Sequence, residues 1–262
     1  MNNTPFLAII GGTGLGQLEG FGVPHSQLIK SRFQDEPVQL TLFDSKDGRL
    51  AFLPRHGAGH RLPPHLINYR ANIRALHDLG VTDIIAVNAV GGIHSHLGPG
   101  SVAIPEQLID YSYARATSFF AADAAPLMHV DFTHPYSNEI RQLLLHAVAA
   151  VNEAADEPVS VLNHGVYACT EGPRLETAAE IQRLKRDGCD MVGMTGMPEA
   201  VLARELGLRY GCLALSVNWG AGLGLDPLTL ESMQEVIQQG MGFIRQVLLQ
   251  SVQMYRQQHA AR

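Results

Sequence analysis

Two short polar segments that follow apolar runs are the first candidates for chemistry in this sequence. Residues 11–14, Gly-Gly-Thr-Gly, follow the apolar run at 6–10, and their backbone N–H groups and the Thr13 hydroxyl can bind an anion. Arg55 and His56 follow another apolar run, and a guanidinium is suited to bidentate contact with phosphate. A plain tight turn explains the glycine segment equally well, and an exposed loop explains the Arg–His pair about as well.

Further polar or small residues stand where later apolar runs end. They are Asn88, Ala89, Met194, Thr195, Asn218, Trp219 and Gly220. The hydroxyl of Thr195 precedes a predicted helix, where it can bind an anion or cap that helix. The amide of Asn218 can hydrogen-bond the edge of a heterocycle or form a turn. Because open α/β sheets bind ligands at strand ends, these segments together favour one common site.

Several other kinds of site are disfavoured by the same segments. A dinucleotide fingerprint needs a third glycine where this chain has Gln17, and the Gly-Lys-Ser/Thr ending of a P-loop is missing. A nicotinamide-dependent dehydrogenase is therefore a weak alternative. His56 and His60 have the spacing of helical zinc ligands, but Gly57 and Gly59 between them oppose a helix, so we expect no metal and no cofactor.

Charge and hydropathy argue against two classes of partner. The chain of 262 residues has a net charge of −6 and no block rich in lysine or arginine, which argues against nucleic acid. No apolar run approaches the roughly 18 residues of a membrane helix, so no membrane is expected as a partner. We expect no signal peptide. The three cysteines include no Cys-x-x-Cys pair, which is typical of reduced thiols and predicts a cytoplasmic location.

The elements that must position these residues alternate between strand and helix. Hydrophobic patterns predict strands at 6–10, 39–43, 50–53, 81–89, 159–167, 191–194 and 210–217. They predict helices at 67–79, 137–151, 177–185 and 229–249, and one that begins at Pro198. This alternation indicates an α/β fold with a central mixed β-sheet flanked by helices. Since no linker divides the chain, we expect a single domain over residues 1–262.

Three local patterns add detail to these elements. Asp47-Gly48 predicts a hairpin turn between the second and third strands. The spacing Thr177-x-x-Glu180 predicts a capping box at the start of a helix. Residues 98–136 are irregular, which is typical of a functional or interfacial segment.

Six segments, in order along the chain, resemble those of the methylthioadenosine phosphorylase branch of the trimeric purine nucleoside phosphorylases. They are Ile10-Gly-Gly-Thr-Gly-Leu15, Pro54-Arg-His-Gly57, Asn68-Tyr-Arg-Ala-Asn72, Asn88-Ala-Val-Gly-Gly92, Glu171-Gly-Pro-Arg174 and Met194-Thr-Gly-Met-Pro-Glu199. The resemblance covers about residues 6 to 250. It implies one nucleoside phosphorylase domain with a central mixed sheet, assembly as a homotrimer, and a small nucleoside and inorganic phosphate as co-substrates.

The resemblance also implies roles for the matching residues. The phosphate site of the family corresponds to Thr13, Arg55, His56, Asn88, Ala89 and Thr195. The nucleoside contacts correspond to Met194, His129, Asn218, Trp219 and Gly220. Asn88 departs from the Thr of many relatives, although both side chains offer a donor. Met194 would pack against the ribose, His129 would reach the 5′ end of the sugar from a neighbouring subunit, and the residues from Asn218 onward would face the base. Asn218 and His56 are the expected catalytic residues.

The base site favours one class of purine. Relatives that accept 6-aminopurines resemble one another in having Asp at the positions of Asn218 and Gly220. A carboxyl group suits an N6 amine, whereas an Asn amide can donate to N7 or O6 of a 6-oxopurine. The chain therefore resembles the methylthioinosine phosphorylases, and we expect phosphorolysis of S-methyl-5′-thioinosine to hypoxanthine and 5-methylthioribose 1-phosphate, a reaction of purine salvage.

Three alternatives stay open at this point. They are a methylthioadenosine phosphorylase, a general 6-oxopurine nucleoside phosphorylase, and a nucleoside-binding protein without catalytic activity. A methylthio group at the 5′ position needs an apolar pocket. Val130, Leu228 and Leu230 are the candidates for its walls.

Overall fold

The computed structural model describes residues 5–45, 48–120, 129–225 and 227–260. Within these ranges the chain forms a mixed sheet of eleven strands with five α-helices around it. The strands are β1 (Leu7–Gly11), β2 (Pro24–Ser31), β3 (Gln34–Ser45), β4 (Gly48–Pro54), β5 (Asp83–Gly92), β6 (Val102–Ala103), β7 (Gln107–Asp110), β8 (Val161–Leu162), β9 (Val166–Cys169), β10 (Met191–Gly193) and β11 (Arg209–Trp219). The helices are α1 (Tyr69–Asp78), α2 (Asn138–Glu153), α3 (Ala178–Arg186), α4 (Glu199–Glu205) and α5 (Leu230–Ala260). This architecture confirms the predicted single-domain α/β class.

Strand β5 is the centre of the sheet. It pairs in parallel with β1 along one edge and with β11 along the other, and β1 pairs in parallel with β4. Strands β3 and β2 continue the sheet beyond β4 in antiparallel pairing, whereas β10, β9 and β7 continue it beyond the end of β5. Because β1, β4, β5 and β11 run in the same direction, their carboxyl ends meet at one edge of the sheet.

One edge of β5 contains a gap between two neighbouring strands. On this edge β1 pairs with residues 83–86 and β10 pairs with Gly91 and Gly92, whereas β11 covers the opposite edge along its length. Residues 87–90 therefore have no strand partner on the first edge among the described residues. The backbone N–H and C=O groups on this edge need other hydrogen-bond partners, which side chains or a ligand can provide.

Alternate residues of the central strands serve two separate cores. In β1, Ala8 and Ile10 pack with α1 and α4 on one face, and Leu7 and Ile9 pack with α2 and α5 on the other. These four side chains are at most 1% exposed. Burial of one Leu or Ile side chain stabilises the fold by about 1.5–3 kcal/mol. Helices on both faces thus explain why the central strands are continuous apolar runs.

Side-chain caps explain where α3 and α1 begin, whereas α2 begins without one. Thr177 accepts a hydrogen bond from the N–H of Glu180 and the Glu180 carboxylate accepts one from the N–H of Thr177, which confirms the predicted capping box of α3. Asn68 caps α1 by accepting from the N–H three residues later at 3.0 Å. Ser137 precedes α2 as expected, but its hydroxyl donates to Glu139 instead of capping the helix.

The structure differs from the predicted elements at several places. The predicted strand 159–167 is divided into β8 and β9, because Gly165 between them has a φ of 119°. Helix α5 continues to Ala260, beyond the predicted end at 249. Strand β2 has no counterpart in the prediction, because its side chains are largely exposed and lack an alternating apolar pattern. The predicted turn residue Asp47 lies outside the described residues.

A buried carboxylate fastens the end of α5 to the sheet. Asp83 is fully buried at the start of β5, and its Oδ2 accepts from the Tyr255 hydroxyl at 2.6 Å and from Arg209 Nη2 at 2.8 Å. The contact through Tyr255 therefore fixes the C-terminal part of α5 against the sheet. No helix in the described ranges has the length and apolar character needed to cross a membrane.

Candidate active site

A cavity of about 340 Å³ opens at the carboxyl ends of the parallel strands, over the gap beside β5. Its walls come from the ends of β1, β4, β5, β10 and β11 and from the first turns of α5. The sequence-predicted residues that line it are Thr13, Arg55, His56, Ala89, Met194, Thr195 and Asn218. These residues are distant in sequence, so their convergence supports the predicted common site.

A buried carboxylate occupies the bidentate face of Arg55. Arg55 Nε donates to Glu199 Oε2 and Nη2 donates to Glu199 Oε1, both at 2.7 Å, and both side chains are fully buried. Burial alone would lower the pKa of Arg55, but the Glu199 carboxylate raises it above its ordinary value, so the guanidinium stays charged. The Tyr210 hydroxyl also donates to Glu199 Oε1 at 2.8 Å, and burial, reinforced by this carboxylate, raises the pKa of Tyr210 well above its ordinary value. The expected bidentate contact between Arg55 and phosphate is therefore replaced by one with Glu199.

The other donors of Arg55 point into the gap of the sheet. Nη1 donates to the carbonyl oxygen of Val87 at 2.8 Å, and Nη2 lies 3.4 Å from Asn88 Oδ1. A Cβ atom at Gly12 would lie 2.4 Å from the Val87 oxygen and 2.9 Å from Nη1, so only glycine lets the first turn approach so closely. Of the five N–H groups of the guanidinium, one on Nη1 is left for an anion among the described contacts.

Asn88 makes the Thr195 hydroxyl a donor. Asn88 Nδ2 donates to Thr195 Oγ1 at 2.8 Å, so the proton of that hydroxyl is available to another acceptor. Asn88 lies behind Thr195, with 1% of its surface exposed, and it does not line the cavity. Thr13 is half-buried in the wall formed by the first turn. Two hydroxyls therefore border the cavity, which suits an anion with several acceptor oxygens.

His56 is neutral and holds its proton on Nδ1. Nδ1 lies 2.8 Å from the carbonyl oxygen of Leu62, which can only accept, so the proton is on Nδ1. Burial lowers the pKa of His56 to about 4, an effect partly offset by the bond to Leu62 and reinforced by Arg55 and His60. The remaining nitrogen, Nε2, is then an acceptor. Nε2 can accept a hydrogen bond from a protonated phosphate oxygen. His56 must first take up a proton before it can donate to a phosphate dianion.

His60 also lines the cavity and packs on His56. Their ring centroids are 4.1 Å apart. Among the described residues, His60 is the one non-glycine residue with a positive φ, at 55°. Burial, followed by the charge of Arg55, lowers its pKa. The described residues contain no group of three or more His, Cys, Asp or Glu side chains placed to hold a metal ion.

Asn218 and Glu176 are two further polar side chains that line the cavity. Asn218 Nδ2 donates to the carbonyl oxygen of Trp219 at 2.6 Å, which leaves Oδ1 and the second N–H for a ligand. Glu176 Oε1 accepts from Thr170 Oγ1 at 2.7 Å, and the carboxylate faces the same cavity. The sequence prediction omits Glu176, because a Glu directly before the capping residue Thr177 is explained as part of a helix start. Its placement indicates a ligand that brings its own N–H donor.

Besides Asn88, three residues predicted to contact the nucleoside do not line this cavity. The ring of Trp219 packs over Gly98, and Gly220 packs against Ile181. His129 is exposed and lies outside the walls of the cavity in its own chain. Its contact with a neighbouring subunit stays a prediction.

An apolar wall from α5 completes the cavity. Leu230, Met233 and Ile237 line it on successive turns of the helix. Of the three residues predicted to surround a methylthio group, Leu230 is in this wall, whereas Val130 and Leu228 are not. This helix face can therefore contact an apolar substituent without a charged partner.

Comparison with known sequences identifies the family. The sequence model described as the phosphorylase superfamily matches residues 7–253. The chain belongs to the phosphorylase superfamily. This result confirms the resemblance carried by the six segments.

Individual members of the superfamily resemble the whole chain. A probable S-methyl-5′-thioinosine phosphorylase of Pseudomonas syringae pv. tomato is 49% identical over 241 residues, which cover 92% of this chain and 96% of the relative. The 6-oxopurine nucleoside phosphorylase of Pyrococcus furiosus is 40% identical over 95% of this chain and 92% of its own length. The methylthioadenosine phosphorylase of Schistosoma mansoni, solved with adenine, has a TM-score of 0.88 at 28% identity and covers 98% of this chain and 96% of its own. These likenesses confirm the nucleoside phosphorylase fold.

Proposed function

We propose that this protein catalyses the phosphorolysis of S-methyl-5′-thioinosine to hypoxanthine and 5-methylthioribose 1-phosphate. The observation that carries the proposal is that Asn218 and Glu176 line one cavity, which also contains the anion-binding candidates. The similarity to a probable S-methyl-5′-thioinosine phosphorylase supports the same substrate.

The two polar side chains match the edge of a 6-oxopurine. Hypoxanthine presents acceptors at N7 and O6 and a donor at N1. The amide of Asn218 can donate to N7 or O6, and the Glu176 carboxylate can accept from N1–H. Adenine has an unprotonated N1, which the carboxylate would repel. Sites built to hydrogen-bond one functional group reject an analogue that leaves a buried polar group unpaired, so hypoxanthine is favoured over adenine.

Phosphate binding is assigned to the residues around the gap beside β5. Thr13 and Thr195 provide hydroxyl donors, Arg55 provides charge and one N–H, and the backbone of Ala89 borders the gap in the sheet. His56 accepts from a protonated phosphate oxygen through Nε2. This cradle supplies several donors without a net positive field from the protein, whose net charge is −6.

The proposed reaction is a displacement at the anomeric carbon. The bond between C1′ and N9 breaks, its electron pair leaves with the purine, and a phosphate oxygen forms the new bond to C1′ with inversion. Asn218 stabilises the negative charge that develops on the base, and each well-placed donor contributes about 2–4 kcal/mol to lowering the barrier. Phosphate is a co-substrate in this scheme, and the reaction needs no cofactor.

The apolar wall supports the methylthio group of the substrate. Leu230, Met233 and Ile237 offer surface suited to a thioether. We further propose that the protein works as a homotrimer in which His129 of a neighbouring subunit reaches the 5′ end of the sugar. A cytoplasmic location is part of the proposal, supported by Cys169, Cys189 and Cys212, which are buried free thiols.

A comparison of three substrates tests the proposal. Release of the free base from methylthioinosine, methylthioadenosine and inosine is measured with and without phosphate. We expect phosphate-dependent turnover, with kcat/KM for methylthioinosine at least about 100-fold above that for methylthioadenosine. Equal rates with the 6-amino substrate would refute the base assignment. Faster cleavage of inosine would favour the second candidate, a general 6-oxopurine nucleoside phosphorylase, which the similarity to the Pyrococcus furiosus enzyme supports.

A further inference from the structure

One buried arginine outside the cavity joins two of the loops that contribute to its walls. Arg115 belongs to the irregular segment after β7, and its side chain is 3% exposed. It does not line the cavity, and none of the roles considered above involves it. We infer that Arg115 is a positioning residue, which holds the phosphate side and the base side of the site in their working arrangement. This inference rests on the proposed phosphorylase function.

The first set of contacts fixes the loop that carries Thr195. Arg115 Nη1 donates to the carbonyl oxygens of Met194 at 2.7 Å and of Met197 at 2.5 Å. These two carbonyls stand on either side of Thr195, so the guanidinium determines the path of the turn between β10 and α4. Thr195 Oγ1 must reach Asn88 Nδ2 at 2.8 Å for its own proton to face the cavity.

The second set of contacts fixes the loop that carries Glu176. Arg115 Nη2 donates to the carbonyl oxygens of Glu171 at 2.7 Å and of Thr170 at 3.2 Å, at the end of β9. The hydroxyl of Thr170 in turn donates to Glu176 Oε1 at 2.7 Å. One guanidinium therefore connects, through hydrogen bonds of 2.5–3.2 Å, the loop of the proposed phosphate donor and the loop of the proposed acceptor for N1–H.

The chemistry of this position requires an arginine. The planar guanidinium directs Nη1 to one loop and Nη2 to the other, whereas the ammonium of a lysine is a single point that cannot span both. The ring of Tyr69 lies below the guanidinium at 5.4 Å, and Glu171 Oε2 is 3.5 Å from Nε, which provides a counter-charge. A desolvated, paired group of this kind holds a fixed geometry.

Arg115→Lys and Arg115→Ala test the inference, and Arg141→Ala is the matched control. Arg141 also donates to two backbone carbonyls, those of Pro105 and Asn163, at 3.1 and 3.0 Å, but it lies away from the cavity. For Arg115→Ala we expect a rise of at least about tenfold in the KM for phosphate and a comparable fall in kcat, because small misplacements of positioning groups have large effects on rate. The control keeps both constants.

Chemical rescue separates positioning from a purely structural role. Millimolar guanidinium chloride, far below denaturing concentrations, should restore part of the kcat of Arg115→Ala and leave the wild type and Arg141→Ala unchanged. If Arg115→Ala does not fold, Arg115→Lys is used instead. We expect this variant to unfold close to the wild type and to have a raised KM for phosphate.

Two results would overturn the inference. One is a folded Arg115 variant with wild-type KM and kcat, and the other is a loss of activity that follows only the unfolded fraction and that guanidinium does not rescue. All rates are measured on the nucleoside that the wild type cleaves fastest. A different base preference would therefore contradict the proposed function and leave the result for Arg115 interpretable.

Discussion

Replacing Glu199 by Gln isolates the charge of the buried pair with Arg55 while keeping its size. In the wild type, the two carboxylate oxygens accept both bonds of the guanidinium fork at 2.7 Å and a third from Tyr210 at 2.8 Å. In the variant the amide oxygen can still accept one bond of the fork, but the NH₂ group faces the other N–H of Arg55 and the counter-charge is gone, while the contacts to the Val87 carbonyl and to Asn88 remain. A fully buried cation without its counter-charge costs about 3–5 kcal/mol.

The expected decrease in the free energy of unfolding is large compared with the stability of a domain. About 4 kcal/mol is a substantial part of the 5–15 kcal/mol that separates native and unfolded states. For a chain of this size it lowers the melting temperature by about 8–16 °C. Urea unfolding of Glu199→Gln and the wild type measures the difference, and the slope with denaturant should stay unchanged.

A double variant shows what the pair contributes besides stability. Arg55→Met combined with Glu199→Leu replaces both charges by apolar groups, and such replacements are often neutral or stabilising. We expect this variant to recover most of the stability lost in Glu199→Gln and to have no phosphorolysis activity, because the phosphate cradle has lost Arg55. The reasoning is refuted if Glu199→Gln lies within about 1 kcal/mol of the wild type, or if the double variant remains active.

Three further predictions concern the cavity residues. Asn218→Asp should shift kcat/KM toward methylthioadenosine; an unchanged ratio between the two methylthio substrates would contradict the base assignment. Glu176→Gln should raise the KM for methylthioinosine and leave that for phosphate near the wild-type value, and the reverse pattern would move Glu176 to the phosphate side. His56→Asn should lose less stability in acid than the wild type. Burial lowers the pKa of His56 in the folded protein to about 4. The stabilising contribution of the neutral ring is therefore lost as the pH falls from about 6.5 toward 4. Equal losses of stability for variant and wild type between pH 7 and pH 5 would show that His56 does not titrate in this way.

Much of the fold follows from local patterns in the sequence. The apolar runs that become β1, β5 and β11 are buried on both faces, so their composition alone indicates central strands. The capping box at Thr177 and the glycines at strand ends mark the boundaries well. Exposed β2 has no such pattern, since its side chains gain little from a defined face.

The site is only partly predictable, because its most consequential contacts are long-range. Residue type and position alone make Arg55 and its neighbours candidates for an anion site. Nothing in their spacing shows that Glu199, 144 residues away, occupies the fork of that arginine. The roles of Glu176 and Arg115 could not be predicted either, because they depend on which loops the topology brings together.

The source of the oxygen in the sugar product tests directly whether an anion bound at the gap beside β5 attacks the anomeric carbon. Methylthioinosine is incubated with the enzyme and phosphate labelled with ¹⁸O, and the sugar product is analysed by mass spectrometry. We expect 5-methylthioribose 1-phosphate that retains all of the phosphate label, and no base release when phosphate is omitted. Free 5-methylthioribose carrying oxygen from water, formed equally well without phosphate, would contradict it.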